Sequence, residues 1–302
     1  MDLSGVLIPA VTPFDPVTGD VDLVGMRANV RAWIRHPVLG IVIGGSTGEA
    51  VLLDRDERRA LLEAARGVLP GERLLVAGTG AESTRATLAL CRLAEEAGAD
   101  VALVMPPAFY KGAMSPEALA VHYRRVADDS PLPVIVYQVP LRLSTLDLPT
   151  GLVAELSRHE NVIGIKDSRG SLELVGELVE QCREGFQVLV GNAAALYGSL
   201  EVGAVGGILG VANVAPGECA EVLKAFQEGR GADAGSLQER IGPVHKTVVG
   251  ELGVAGVKAA VDMLGLRGGD PRPPLLPLPE KRRPEVRGVL ERAGLLQAVA
   301  RG

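Results

Sequence analysis

The stretch VIGIKD (162–167) begins with four uncharged, mostly apolar residues and closes on two charged ones. A strand that is apolar throughout, rather than at every second residue, is typical of a parallel sheet covered on both faces. Seven further runs of this kind, each followed by a longer amphipathic stretch, lie at residues 5–10, 40–45, 74–79, 101–105, 134–139, 187–192 and 205–210. Such a series of strand–helix units predicts an α/β fold, a closed TIM (β/α)8 barrel.

Further helical patterns follow the eighth predicted strand and are interrupted by the proline-rich segment GGDPRPPLLPLP (268–279). We interpret this segment as an extended connection because apolar helical periodicity resumes after it. The sequence therefore predicts a barrel over residues 1–225 with extra C-terminal helices, an extension over residues 226–302 that packs on the barrel.

The bulk composition excludes several classes of partner. The 302 residues carry 31 Lys and Arg against 37 Asp and Glu, and no basic run is interleaved with aromatic residues. Nucleic acids and anionic membranes bind clustered basic residues, so neither is expected as a partner.

No uninterrupted apolar run reaches ~18 residues, which predicts no membrane span. An N-terminus without a signal-peptide pattern and three scattered cysteines favour a cytoplasmic location. The four histidines lack metal-ligand spacing, so no metal site is predicted.

Active residues of such barrels lie at the C-terminal ends of the strands, and Lys166 ends the sixth predicted strand. A lysine behind the apolar run VIGI is costly to bury as an ammonium, so its surroundings favour the neutral amine. A neutral amine is the nucleophile that attacks a carbonyl to give an imine. The alternative is a strand-end lysine that reaches solvent or pairs with Asp167, and position alone does not separate the two.

Two other strand ends carry polar groups. Tyr137 in VIVYQV (134–139) could move protons in the barrel mouth, although an amphipathic core tyrosine with a satisfied hydroxyl is the commoner case. The loop GGSTGE (44–49) presents backbone N–H groups with the hydroxyls of Ser46 and Thr47. Such a nest suits a carboxylate or a phosphate, although the loop could also be a bare turn. It is not a P-loop, because no GK[ST] follows.

Taken in this order, the features resemble the dihydrodipicolinate synthase / N-acetylneuraminate lyase family of pyruvate-dependent class I aldolases. The resemblance covers essentially the whole chain. The G-[ST]-T-G-E loop combined with Y-x-x-P and I-K-[DE] at this spacing is highly specific. The matching stretches are PAVTPF (9–14), GGSTGEAVLLDRDER (44–58), GTGAEST (78–84), GADVALVMPPAFYKG (98–112), PVIVYQVP (133–140), NVIGIKDS (161–168), GAVGGILGVANVAP (203–216) and GVAGVKAAVDMLGL (253–266).

The resemblance implies roles for five residues and chemistry without a cofactor. It implies that Lys166 forms a Schiff base with pyruvate and that Tyr137 is the proton shuttle. Ser46 and Thr47 are implied to cradle the pyruvate carboxylate, with the Ser46 hydroxyl linking Tyr137 to a second tyrosine, Tyr110. The protonated imine would act as an electron sink, so that a carbon–carbon bond β to it breaks or forms through an enamine.

The same resemblance implies an assembly, a pocket lining and partners. In relatives the tyrosine that matches Tyr110 is usually contributed by the neighbouring subunit across a tight dimer, and their usual assembly is a homotetramer, a dimer of dimers. Gly191 and the Ile208 carbonyl are implied to line the imine pocket. The expected partners are pyruvate and a small aldehyde or 2-oxo acid.

The second substrate divides the family. Synthases normally carry two threonines in the loop, whereas Ser46–Thr47 is similar to neuraminate lyases and 4-hydroxy-2-oxoglutarate aldolases. The synthase pattern Y-N-V-P-x-R has an arginine for the carboxylate of aspartate semialdehyde. Counting from Tyr137 places Arg142 there, and counting back from Asp147 places Leu143 there.

The chain looks most similar to 4-hydroxy-2-oxoglutarate aldolase, which cleaves its substrate to pyruvate and glyoxylate. The second expectation is 4-hydroxy-tetrahydrodipicolinate (dihydrodipicolinate) synthase, which condenses pyruvate with aspartate semialdehyde. A sugar-acid or neuraminate lyase ranks third. A barrel that has lost catalysis and serves as a scaffold is the alternative outside enzymes.

Overall fold

A computed structural model of the chain describes residues 1–144 and 146–296. Its strands are all parallel and close into a ring in the order β1 to β8, with β8 paired to β1. This closed ring confirms the predicted TIM barrel. The strands are β1 (Val6–Pro9), β2 (Gly40–Ile43), β3 (Leu74–Gly78), β4 (Val101–Val104), β5 (Val134–Gln138), β6 (Val162–Asp167), β7 (Gln187–Val190) and β8 (Gly206–Ile208).

A helix follows each strand and covers the outside of the ring. Asp54 caps the start of α2, because its side chain accepts from the Glu57 amide while the Glu57 carboxylate accepts from the Asp54 amide. The helices are α1 (Leu23–Trp33), α2 (Arg55–Arg66), α3 (Thr84–Glu96), α4 (Pro116–Asp129), α5 (Thr150–Leu156), α6 (Leu172–Gln181), α7 (Leu196–Glu201), α8 (Pro216–Gln227), α9 (Gly231–Val244), α10 (Gly253–Met263) and α11 (Arg283–Arg292). None of the described helices is long and apolar enough to cross a membrane.

The core has two layers because strand residues alternate between the inside and the outside of the ring. The larger layer packs between the strands and the helices. The smaller one fills the ring and includes Leu7, Val42, Ile135, Tyr137 and Ile208. Tyr137 therefore points inward, at the C-terminal end of β5.

The extra C-terminal helices are present, and α8 is the eighth helix of the barrel itself. The predicted division between residues 225 and 226 lies inside α8, and we keep the two-part description as a proposal. Helices α9, α10 and α11 contribute Ile241, Val257, Val286 and Leu290 to the hydrophobic layer that also holds barrel residues. The predicted extension includes residues 297–302, which lie outside the described residues.

Candidate active site

Lys166 and Tyr137 lie side by side at the C-terminal ends of neighbouring strands. They are register partners of β6 and β5, and each side chain is almost fully buried. The Lys166 Nζ lies 4.1 Å from the centroid of the Tyr137 ring. Asp167 belongs to the opposite face of β6, where its Oδ2 accepts a 2.8 Å hydrogen bond from Nε of Arg169. Lys166 thus neither reaches solvent nor pairs with Asp167. The alternative interpretation from the sequence, an exposed or Asp167-paired lysine, is therefore excluded.

The phenol of Tyr137 is electrostatically tuned by its neighbours. Burial by itself raises the pKa of Tyr137, but the charge of Lys166 and hydrogen bonds with Ser46, Lys166 and Ser168 outweigh it. The resulting pKa lies below the ordinary value for a tyrosine. Ser46 Oγ lies 3.4 Å from the Tyr137 hydroxyl, a long contact of the kind that tightens when a ligand binds. A phenol with a lowered pKa can exchange protons with a group bound beside Lys166.

The loop after β2 is folded as an open nest. The amides of Gly48 and Ala50 donate to the Gly45 carbonyl, and the Glu49 amide donates to that of Ser46. The amides of Ser46 and Thr47 have no acceptor among the residues that the structure describes. Two adjacent N–H groups with two hydroxyls form a concave donor set that suits a carboxylate.

One cavity of about 80 Å³ brings most of the predicted residues together. Its wall includes seven of the eight residues expected at the site: Ser46, Thr47, Tyr137, Arg142, Lys166, Gly191 and Ile208. The side chain of Leu143, the other candidate for the arginine position, lines the same cavity. Tyr110 is the eighth, and it does not line the cavity.

Gly191 leaves the space that the Lys166 side chain uses. A Cβ at this position would lie 1.9 Å from Ser168 Oγ and 3.2 Å from Lys166 Cε. At the first distance the added Cβ overlaps the serine, which must move, and at the second it crowds the lysine side chain. Glycine at residue 191 therefore keeps the amine accessible.

Arg142 lies where the inner cavity opens into an outer one of about 280 Å³, since it lines both. Its Nη2 donates a 3.0 Å hydrogen bond to the Val249 carbonyl in the π-helical segment His245–Glu251. His245 also lines the outer cavity, and burial together with the Arg142 charge lowers its pKa to about 4. The mouth thus holds one cationic guanidinium beside a neutral imidazole at neutral pH.

Tyr110 lies away from this cavity. Its side chain is 71% exposed and packs edge-to-face on Phe109, with ring centroids 5.1 Å apart. Glu82 Oε2 accepts from the amides of Ala108 and Phe109 at 3.0 and 2.9 Å, which fixes the loop that carries the pair. Within one chain, the structure does not bring Tyr110 to Lys166.

Sequence reasoning missed two parts of the wall. Ser168 lines both cavities and directly follows β6. Its position two residues after Lys166 could have revealed it, because residues two apart along an extended chain share a face. Val249 and the α10 residues Gly253, Val254 and Val257 also line the inner cavity. They come from the C-terminal extension, for which the sequence offered no chemical signal. Among the described residues, no group of three or more His, Cys, Asp or Glu is placed to hold a metal ion.

Comparison with known proteins places these features in a family. Residues 2–293 match the sequence pattern of the Dihydrodipicolinate synthetase family. The chain is 35% identical to a 4-hydroxy-tetrahydrodipicolinate synthase of Methanoculleus marisnigri, over 96% of this chain and 99% of that protein. It is also 35% identical to a protein of Emericella nidulans named "Probable 4-hydroxy-2-oxoglutarate aldolase, mitochondrial", over 89% of this chain and 88% of that one.

A solved structure agrees with this comparison. The chloride-inhibited dihydrodipicolinate synthase of Acinetobacter baumannii, complexed with pyruvate, superimposes with a TM-score of 0.91 at 30% identity, over 98% of this chain and 100% of that one. A family match over nearly the full length, relatives above 30% identity and a shared barrel all agree. This chain belongs to the dihydrodipicolinate synthetase family of carbon–carbon lyases.

Proposed function

We propose that this pyruvate-dependent class I aldolase cleaves 4-hydroxy-2-oxoglutarate to pyruvate and glyoxylate. One observation carries the proposal: a buried amine (Lys166), a phenol with a lowered pKa (Tyr137) and an open carboxylate nest (Ser46 and Thr47) line one small cavity. These are the nucleophile, the proton carrier and the anion site that imine chemistry on a 2-oxo acid needs.

Binding and imine formation use the inner cavity. The C1 carboxylate of the substrate accepts from the free amides and hydroxyls of Ser46 and Thr47. This places the C2 carbonyl against Nζ of Lys166, which adds to C2 in its neutral form. Tyr137 carries protons to the carbinolamine oxygen, which leaves as water, and a protonated imine remains.

Cleavage then uses the same phenol in the opposite sense. Tyr137, as phenolate, removes the proton of the C4 hydroxyl while the C3–C4 bond breaks. The electron pair of that bond moves into the imine to give an enamine, and glyoxylate leaves with C4 and C5. The enamine is protonated at C3, and water hydrolyses the imine to release pyruvate and regenerate Lys166.

Arg142 is the group we assign to the C5 carboxylate. Its guanidinium is anchored by the Val249 carbonyl at the junction of the two cavities, and its remaining N–H groups are available to a planar anion. The aspartate semialdehyde of a synthase also has a carboxylate, and the relative from Methanoculleus marisnigri is as similar as the fungal one. Synthase activity is therefore the second candidate.

We further propose a homotetramer in the cytoplasm, with the aromatic pair of Phe109 and Tyr110 covered by a second copy. Both rings are largely exposed in the single chain, which leaves an apolar surface on a fixed loop. Tyr110→Arg should weaken association. Sedimentation that shows the wild-type chain to be monomeric at micromolar concentration would contradict this assembly.

The chemistry is tested by trapping. Reduction with borohydride in the presence of pyruvate should add the mass of a reduced pyruvyl group to Lys166, whereas Lys166→Met should gain none. An unmodified wild-type lysine would mean that the chain is a silent scaffold and that the proposal is wrong.

The second substrate is tested by two parallel assays, pyruvate release from 4-hydroxy-2-oxoglutarate and condensation of pyruvate with aspartate semialdehyde. We expect the first to proceed, and Arg142→Met to raise its KM by about ten- to a hundredfold through the loss of a charge-assisted contact. If only the second reaction proceeds, the chain is a synthase. Cleavage of N-acetylneuraminate alone would assign it to the sugar-acid lyases.

A further inference from the structure

A second buried lysine, Lys258 in α10, lies outside the chemistry described above. Its side chain and that of Glu49 are fully buried and form an ion pair, with Nζ 2.8 Å from Oε1. The same ammonium donates to the carbonyls of Thr12 and Asp270, each at 2.8 Å. All three of its protons are thus used by three separate parts of the chain.

A buried ion pair needs an explanation other than stability. Removing two charges from water costs about as much as their attraction returns, and well-packed apolar residues often stabilise a fold as well. What a fully hydrogen-bonded pair provides is a fixed geometry, because neither partner can move without leaving a buried charge unpaired. The question is therefore what the pair holds in place.

Glu49 ends the nest that contains Ser46 and Thr47. With φ 58° and ψ 34°, it is the one non-glycine residue of the described chain in the left-handed region. Such a conformation persists only where the surroundings enforce it. Its Oε1 is held by Lys258, and its Oε2 accepts a 2.8 Å bond from the Arg272 amide. The strained turn that closes the nest is thus fixed through its side chain.

Helix α10 also forms one side of the cavity. Val254 and Val257 line it, and Lys258 is the next residue along the helix. Thr12, whose carbonyl accepts from Lys258, donates from its own Oγ1 to the Gly48 carbonyl at 2.7 Å. Helix α10 therefore lines the cavity and also holds the nest through Lys258, directly at Glu49 and indirectly through Thr12 at Gly48.

We propose that Lys258 and Glu49 are positioning residues, which hold the amides of Ser46 and Thr47 at the place where the pyruvate carboxylate binds beside Lys166. Neither positioning residue contacts the substrate. The inference rests on the proposed function in one respect, that pyruvate forms an imine at Lys166. It is independent of the second substrate.

The test compares variants that keep or remove this connection. Glu49→Gln retains an acceptor for the Lys258 ammonium, and with it the shape of the turn. The double variant Glu49→Ala/Lys258→Met removes the connection without leaving an uncompensated buried charge, and Lys258→Met alone is measured beside it. Arg66→Met is the matched control, because it breaks a pair with Asp100 (Nη1–Oδ2 3.2 Å) at the far end of the barrel.

The readout is the pyruvate concentration that gives half-maximal borohydride trapping, measured with the thermal unfolding of each variant. We expect the double variant to fold and to need at least about ten times as much pyruvate for half-maximal trapping as wild type. Glu49→Gln should need a pyruvate concentration within about threefold of that of wild type. Arg66→Met should unfold at a lower temperature with unchanged trapping. If the pair had a purely structural role, its removal would act as Arg66→Met does: the unfolding temperature would fall and the folded variant would trap pyruvate as wild type does.

Two results separate the possible failures. The positioning role is overturned if any folded variant without the Lys258 ammonium reaches half-maximal trapping at a pyruvate concentration within about threefold of that of wild type. A wild-type chain that traps no pyruvate at all overturns the proposed function instead.

Discussion

Replacement of Tyr137 by phenylalanine removes one hydroxyl from the centre of the site and leaves the ring in place. The hydrogen bond between this hydroxyl and Ser46 Oγ is 3.4 Å long, which is near the limit of a hydrogen bond. The ring, over which Lys166 Nζ lies at 4.1 Å, still fills the interior layer of the barrel. Tyr137→Phe should therefore lower the free energy of unfolding by no more than about 1 kcal/mol.

The effect on the reaction should be much larger. Tyr137 is the group assigned to proton transfer in imine formation and in cleavage, and a positioned acid–base residue contributes about 10²–10⁴ in rate. That range corresponds to about 2.7–5.4 kcal/mol of transition-state stabilisation. The loss should appear in kcat, with KM nearly unchanged, because the nest proposed to bind the C1 carboxylate keeps all its residues.

Steady-state pyruvate release and the rate of borohydride trapping measure the two steps separately. Tyr123→Phe is the matched control, since it removes another buried hydroxyl, which donates to the Val104 carbonyl at 3.1 Å. The control should lose stability and keep its kcat. A Tyr137→Phe enzyme that retains more than about a tenth of wild-type kcat would refute the assignment of this phenol as proton carrier.

Three further predictions follow from the same geometry. Gly191→Ala should raise the pyruvate concentration for half-maximal trapping by at least about tenfold, because the new Cβ overlaps Ser168 Oγ and presses on Lys166; unchanged trapping would contradict this. Lys166→Met should be unfolded by urea at an equal or higher concentration than wild type, since an apolar side chain replaces a buried amine that has no carboxylate partner in the described part of the chain; a clear decrease would contradict it. Burial lowers the pKa of His122 and His245 to about 4, so their unfolded imidazoles bind protons that the folded ones do not. The free energy of unfolding should therefore fall as pH falls from about 7 to about 4, by about 1–3 kcal/mol for each histidine. Denaturation across this range should show a smaller decrease for His122→Gln, and an equal decrease would contradict the shift.

The sequence predicted the barrel because its signal is local. Each strand is a short apolar run such as VIGIKD (162–167), and parallel pairing in chain order needs no information from distant parts of the chain. The placement of Lys166 beside Tyr137 follows from two strand ends at one rim of the barrel.

Other features depend on contacts that local patterns do not encode. The wall formed by Val254 and Val257 requires α10 to fold back over the barrel mouth, and an apolar helical stretch does not state which surface it will cover. Lys258 sits in the apolar run GVKAAV (256–261), and the carboxylate nearest to it in sequence is Asp262, four residues later on the same helix. Helical spacing favours that partner, so the pairing of Lys258 with Glu49 could not be foreseen. The loop before Asp147 left two candidates for one arginine position, and the structure puts both side chains on the cavity.

The bond between Lys258 and Glu49 spans 209 positions, and this separation bears on when the site can form. On a ribosome that adds ~5–20 residues per second, Lys258 is synthesised roughly 10–40 s after Glu49. During that interval the first strands can pair, while the carboxylate of Glu49 stays hydrated and the turn is free to relax. If Lys258 has the positioning role proposed above, a nascent chain fixes the shape of the loop 44–49 as one of its last steps, only after helix α10 has left the exit tunnel and docked.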